Sequence, residues 1–342
     1  MKKTIVLLPG DGIGPEVTCA AATVLRECAH EFSHEFDLHE FPIGGAAIDR
    51  AGTALPNETL DACRKADAVF LGAVGGAKWD SLPVGKRPES GLLGLRKGLG
   101  LYVNLRPFTG VPGSIAQGAD FAVVRENTEG TYAGEGGFLR KGTPHEVATQ
   151  GSVNTRMGAE RCTRFAFELA ARRRNKLTLV HKTNVLTFAG DLWQRTVAEV
   201  SSDYPDVTWD YNHVDAACIY LVEQPKRYDV IVTDNLFGDI LTDLAGAVTG
   251  GIGFAASANL NPARNGPSLF EPVHGAAHDI AGQGVANPLA AIHSAALMLE
   301  HLGEPDAAAR ILKALTAQSD SMSTSSEQLS TPAVGDAIAE RL

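Results

Sequence analysis

Residues 229–253 read DVIVTDNLFGDILTDLAGAVTGGIG, and two periodicities meet inside them. Asp229–Thr233 is dense in Val and Ile, as a buried strand is. From Leu236 the period changes. Leu236, Phe237, Ile240, Leu241, Leu244 and Val248 fall on one side of a helical wheel, which predicts a helix burying that stripe. Asp239 and Asp243, four apart, stack on the flank of the stripe, roughly 6 Å apart along the axis. Two carboxylates so placed repel each other unless a cation or water lies between them. Hard oxygen ligands of this kind suit Mg²⁺ or Mn²⁺ better than zinc. The spacing is also common on exposed helices, so its meaning depends on the rest of the chain.

The 342 residues suffice for about two domains. With 44% hydrophobic and 20% charged residues the composition is that of a soluble α/β protein. A net charge of −10 argues against a nucleic-acid surface, which needs clustered Lys and Arg. An anionic small ligand would have to be held by local arginines. Cys19, Cys28, Cys63, Cys162 and Cys218 are scattered and form no CxxC, which fits reduced thiols in the cytoplasm. No apolar run approaches a membrane span, and the first residues lack the h-region of a signal peptide.

Strands are expected at Thr4–Leu8, Ala68–Leu71, Phe121–Val124, Leu177–Val180 and Val207–Val214. Helices are expected from Pro15 to about Cys28 and over Ala159–Arg174, Pro288–Leu302 and Asp306–Leu315. The turn after the first strand, Pro9-Gly10-Asp11-Gly12-Ile13-Gly14, is not the G-x-G-x-x-G of a dinucleotide fingerprint, though it lets a ligand approach backbone. Glu89, Leu92, Leu93 and Arg96 share helical spacing, and Arg106 sits where a strand would begin. Strand ends deliver Arg125, Lys182, Asp215 and Asp234, and the next helix adds Asp239 and Asp243. That repetition is expected when one crevice lies at the carboxyl ends of a parallel sheet. Tyr132 lies in a glycine-rich loop after Arg125, and the polar residues 134–155 suit a projecting hairpin used in assembly. SLFEPVHGAAHDIAGQGVANP reads as loop, and SDSMSTSSEQLSTPAVGDAIAERL as a polar linker before a last helix.

Motifs along nearly the whole chain then carry a resemblance: LPGDGIGPEV, ESGLLGLRK, NLRP, RENTEG with Tyr132, HKTNVL, HVDAAC, TDNLFGDILTDLAG and EPVHGAAHDIAGQGVANP. In these the sequence is similar to the isopropylmalate/isocitrate family of metal-dependent β-decarboxylating dehydrogenases. The resemblance implies a two-domain α/β fold with a shared sheet, not a Rossmann fold. Residues 1–101 plus 256–342 would form the cofactor-side domain. Residues 102–255 would form the domain for substrate, metal and dimerisation. The implied activity is NAD-dependent oxidative decarboxylation of 3-isopropylmalate to 4-methyl-2-oxopentanoate, a step of leucine biosynthesis.

By the same resemblance, Arg96, Arg106 and Arg125 would bind the substrate carboxylates. Asp215, Asp239 and Asp243 would hold Mg²⁺ or Mn²⁺. Lys182, with Asp215, would take the hydroxyl proton, and Tyr132 would serve protonation of the enolate carbon. Leu92 and Leu93 would face the isopropyl group. Gly76 and Glu89 would lie near the nicotinamide, and His274, Gly275, Asp279, Ile280 and Asn287 would line the adenosine site. An aspartate at 279 implies NAD rather than NADP. Homodimers are implied, with Lys182 and Asp215 serving the partner's site. Sister enzymes acting on homoisocitrate, isocitrate or tartrate share these motifs, and a metal-dependent phosphatase could also use the Asp cluster. Turnover with each acid, and NADH formation against phosphate release, separate these readings.

Overall fold

The computed structural model describes residues 1–324 and 329–342. The chain folds as two units, Met1–Leu101 with Ile252–Leu342, and Tyr102–Gly251. The first unit opens with β1 (Lys2–Gly10), α1 (Gly14–Glu31), β2 (Glu35–Glu40), α2 (Gly44–Ala51), α3 (Asn57–Lys65), β3 (Ala68–Ala73) and α4 (Pro88–Gly98). The second holds β4 (Val103–Thr109), β5 (Asp120–Glu126), β6 (Gly136–Leu139), β7 (Val147–Gln150), α5 (Arg156–Ala171) and β8 (Lys176–His181). It continues through α6 (Thr187–Ser201), β9 (Thr208–His213), α7 (Val214–Glu223), β10 (Val230–Thr233) and α8 (Asn235–Thr249). The chain then returns to the first unit with β11 (Ala256–Leu260), β12 (Ser268–Pro272), α9 (Leu289–His301), α10 (Pro305–Thr324) and α11 (Thr331–Ala339).

In the first unit the strands lie in the order β2-β1-β3-β12-β11. All neighbours run parallel except β11, which is antiparallel to β12. In the second the order is β4-β5-β10-β8-β9, parallel except for β4 against β5. Strands covered on both faces cannot alternate apolar with polar residues, and accordingly every residue of β3 and β10 is buried. The first unit's core joins Val6, Leu8, Val69, Leu71, Leu269 and, from α4, Leu95. Each fully buried Leu of this kind stabilises the fold by about 1.5–3 kcal/mol, so α4 is held to the sheet by its Leu95 edge. The β6–β7 hairpin is exposed along both strands.

Three expectations are corrected. The stretch from Ser268 is not loop at its start: Ser268–Pro272 is the buried strand β12, paired on both sides. Its Pro and Glu hid it, and Glu271 tolerates burial because Arg96 and Asn259 donate to it. The apolar stripe of α8 is not buried throughout. Gly238, Leu241, Thr242 and Ala245 face inward, whereas Leu236 stands exposed and Ile240 is 51% exposed. The helix is tipped toward its small residues because they allow close approach to β5. Finally, the polar tail continues α10 through Thr324, while Ser325–Gln328 lie outside the described residues. Among the described residues no helix is long and apolar enough to cross a membrane.

Candidate active site

Several candidate side chains of the second unit gather around the start of α8. Asp234 caps that helix, accepting from the Phe237 amide at 2.8 Å. In the β4–β5 ladder Asn104 lies opposite Arg125. Arg106, two residues along from Asn104, therefore projects from the same face as Arg125. Arg125 runs against α8 where Gly238 leaves room: a Cβ there would stand 2.5 Å from Arg125 Cγ and 2.7 Å from its Cβ. From that seat Arg125 Nε donates to Asn235 Oδ1 at 2.9 Å, and Nη1 donates to Asp239 Oδ1. Asn235 is itself fixed by donating to the Glu129 carbonyl at 2.9 Å. Tyr132 donates its hydroxyl to Asp239 Oδ2 at 2.7 Å, with the Arg125 guanidinium 5.2 Å from its ring centre. Arg106, also buried, donates through Nη1 to Thr242 Oγ1.

These contacts split the two carboxylates electrostatically. Burial alone would raise Asp239, but Arg125, the Tyr132 hydroxyl and Arg106 outweigh it and hold the carboxyl below its usual range. Asp243, one turn on, has no such hydrogen bonds among the described residues. Burial and the charge of Asp239 push it upward, against a weaker pull from Arg106 and Arg125. Tyr132 is raised by burial first and by Asp239 second, so its phenol stays protonated. One carboxylate is thus fully charged and its neighbour is short of positive partners, the condition a divalent cation relieves.

Lys182 and Asp215 stand apart from this group. Lys182 follows β8, and Asp215 lies in the first turn of α7 rather than at a strand end. They are joined at 2.8 Å, with the Asp215 side chain 68% exposed and its carboxyl lowered chiefly by Lys182. Among the described residues no three His, Cys, Asp or Glu side chains of one chain are arranged to hold a metal.

In the first unit Arg96 of α4 is buried and donates to Glu271 Oε1 at 2.9 Å. Its Nε has no hydrogen-bond partner among the described residues. Leu92 and Leu93 are half-buried, Leu92 against the core. Glu89 occupies the first turn of α4 beside Gly75. His274 Nδ1 donates to the Gly275 carbonyl at 3.1 Å, while its buried Nε2 is unpartnered among the described residues. Burial lowers its pKa, so the ring is neutral. Gly275 opens onto free space, Asp279 is exposed, Ile280 is half-buried, and Asn287 accepts from the Leu289 amide at 3.0 Å.

Within the second unit, then, Arg106, Arg125, Tyr132, Asp239 and Asp243 converge, and Lys182 with Asp215 forms a separate pair. Sequence reasoning passed over Asn235, Gly238 and Thr242, which seat the two arginines, and Glu271, which seats Arg96. Only Gly238 left a trace: a glycine inside a helical pattern signals close packing.

Buried guanidiniums beside paired carboxylates, with a protonated phenol next to them on an α/β scaffold, are the side chains that an enzyme site for small polycarboxylic acids would use. Comparison with known proteins makes this specific. The sequence model described as isocitrate/isopropylmalate dehydrogenase matches residues 4–338. The chain is 53% identical to the 3-isopropylmalate dehydrogenase of Leifsonia xyli subsp. xyli, over 99% of this chain and 98% of that one. It is 51% identical to the enzyme of that name from Thermobifida fusca, over 99% and 97%. Among solved structures, an isocitrate dehydrogenase from Methylococcus capsulatus superposes with a TM-score of 0.89 at 40% identity, covering 99% of each chain. A β-decarboxylating dehydrogenase from Thermococcus kodakarensis gives 0.81 at 36% identity, over 99% and 96%. The chain belongs to the isocitrate/isopropylmalate dehydrogenase family, and it is a decarboxylating oxidoreductase.

Proposed function

We propose that the protein oxidatively decarboxylates 3-isopropylmalate to 4-methyl-2-oxopentanoate with NAD⁺ and Mg²⁺ or Mn²⁺, a step of leucine biosynthesis. The observation that carries this reading is Asp239, held charged between Arg125 and Tyr132 one turn from Asp243. The residues fit a hard divalent cation. Asp239 keeps lone pairs beyond its two hydrogen bonds, and the raised proton affinity of Asp243 is that of a carboxylate short of positive charge. Other residues fit a dinucleotide: His274 Nε2, buried and without a partner among the described residues, and the open Gly275 offer it a polar atom and backbone access. When bound, NAD⁺ supplies the hydride acceptor and the cation a Lewis acid at the C2 hydroxyl and the ketone that replaces it.

The chain's own residues do the rest. Arg106, Arg125 and Arg96 would each bind a carboxylate of the acid, and each is seated within its own unit, on Thr242, Asn235 and Glu271 respectively. At the partner's site, Lys182 would take the C2 hydroxyl proton as the neutral amine, after its ammonium has passed a proton to the Asp215 carboxylate it is paired with. Once CO₂ has left, the Tyr132 phenol, kept protonated by burial and Asp239, donates to the enolate carbon. Leu92 and Leu93 offer an apolar wall that suits an isopropyl group and would leave a third carboxylate unsolvated.

A homodimer with shared sites belongs to this reading. The exposed pair Lys182–Asp215 would serve the partner subunit, with Asp215 completing the cation's ligands. Ile219, Val222, Leu236 and Ile240 leave α7 and α8 an exposed apolar face that a second copy would cover. The test is NADH formation from 3-isopropylmalate with Mg²⁺, with and without chelator. No NADH, or NADH unaffected by chelator, would refute the proposal. A second reading, turnover of isocitrate, is favoured by the solved relative of that name. Equal kcat/KM on both acids would support it.

A further inference from the structure

We infer that His278 is a positioning residue that latches the two loops of the cofactor site together, and that this latch sets the affinity for the dinucleotide. The inference rests on the NAD reading above and adds a residue to which that reading gives no role. The peptide of Gly75 is gripped from both ends. Its amide donates to Asp11 Oδ2 at 2.9 Å, and its carbonyl lies 2.6 Å from His278 Nε2. A carbonyl can only accept, so the ring carries its proton on Nε2. Gly75 is buried beneath a His278 ring whose outer side is exposed, so without the ring the carbonyl would be left to water, which does not tie the two loops together.

The surrounding atoms show a site built around that ring. A Cβ on Gly76 would lie 2.3 Å from His278 Nε2, so the glycine leaves the space the imidazole fills. Gly76 is at φ +150, a backbone that other residues rarely adopt. Behind His278 stands Trp79, ring centres 6.0 Å apart, and Trp79 in turn covers Gly45, where a Cβ would meet its ring at 2.2 Å. Asp11 closes the circuit by accepting from the amides of Gly45 at 2.8 Å and Ala46 at 2.7 Å as well as from Gly75. The loop proposed for the nicotinamide, Gly75–Gly76 with Glu89 beside it, thus takes its shape from a side chain on the loop proposed for adenosine. A ligand spanning both loops meets them already in register, and without the latch it would have to order them on binding.

The experiment compares full-length wild type with His278→Leu, which removes the donor, and His278→Gln, which restores an amide donor at similar reach. NADH binding is read by dinucleotide fluorescence, amide hydrogen exchange is followed over residues 74–79 without cofactor, and kcat is measured at saturating NAD⁺. We expect His278→Leu to bind NADH about tenfold more weakly, with faster exchange in that loop and kcat within about twofold of wild type. His278→Gln should recover most of the affinity. Wild-type affinity in His278→Leu, unchanged exchange, or a glutamine variant as weak as the leucine one overturns the latch. Failure of wild type to bind NADH at all overturns the cofactor reading, and the latch with it.

Discussion

Replacing Gly238 with Ala tests the seat of Arg125 with a single methyl group. Two effects compete. Alanine inside a helix is favoured over glycine by about 1 kcal/mol. Against it, the new Cβ would stand 2.5 Å from Arg125 Cγ, 2.7 Å from Cβ and 3.0 Å from Cδ. Cγ and Cδ can swing away only by leaving the rotamer that reaches Asn235 and Asp239, and Cβ is fixed by the backbone, so the strand or the helix must also shift. Overpacking of this kind costs about 1–3 kcal/mol, which exceeds the propensity gain. A net loss of about 1 kcal/mol lowers the melting temperature by a few degrees. The larger consequence is local. The shift breaks the bonds from Arg125 to Asn235 and Asp239, and a charge-assisted hydrogen bond is worth about 1.5–3 kcal/mol. If Arg125 binds a substrate carboxylate, kcat/KM for 3-isopropylmalate should fall roughly 10- to 100-fold. The assay is NADH formation across a substrate series, beside a thermal melt. A variant that melts higher than wild type with unchanged kcat/KM would refute the reasoning, since only the helix-propensity effect would then be felt.

Asp243→Asn should cut activity at least about 100-fold with little change in melting temperature, and should weaken Mg²⁺ dependence; activity titrated against Mg²⁺ checks this. The buried pair His181 and Asp234, 3.6 Å apart, gives a pH test. Burial lowers His181 to about 4 and raises Asp234 to about 6, keeping both neutral in the overlap despite their proximity. The folded histidine binds fewer protons than the unfolded one, so its contribution is lost as pH falls from its ordinary value toward 4. The aspartate binds more, so its contribution is lost as pH rises toward 6. The slopes oppose in wild type. His293 and His301, also lowered to about 4 by burial, add to the histidine slope, so relative to wild type Asp234→Asn should make stability rise more steeply with pH between about 4 and 6, and His181→Gln less steeply. Denaturant melts of each variant and wild type across that range read the difference in slope, and unchanged slopes would refute the assignment. Leu92→Ser should narrow the preference for 3-isopropylmalate over malate several-fold, and an unaltered ratio of kcat/KM would place the apolar pocket elsewhere.

The strand and helix around residues 229–249 were legible because each buries apolar side chains at its own period. What periodicity did not reveal was orientation. Leu236 and Ile240 match the helical stripe but face outward, because Gly238, Thr242 and Ala245 allow the closer approach to β5. Strand β12 escaped because a sequence window containing Glu and Pro reads as loop, whereas Glu271 is neutralised by Arg96 from 175 positions away. The candidate arginines and aspartates could be read from residue type and strand ends. Their supports, Asn235 and Thr242, are ordinary polar residues until a partner from another element is in place.

The bond from His278 to Gly75 spans 203 positions of the chain, whereas Asp11 reaches Gly75 across 64. A polypeptide made from its amino end can close the shorter contact early, but the longer one only when synthesis is nearly finished. Unfinished or clipped chains could thus fold much of the first sheet and still carry a slack Gly75 loop. A loop shaped by residues so far apart in the chain would thus be among the last parts of the first unit to set.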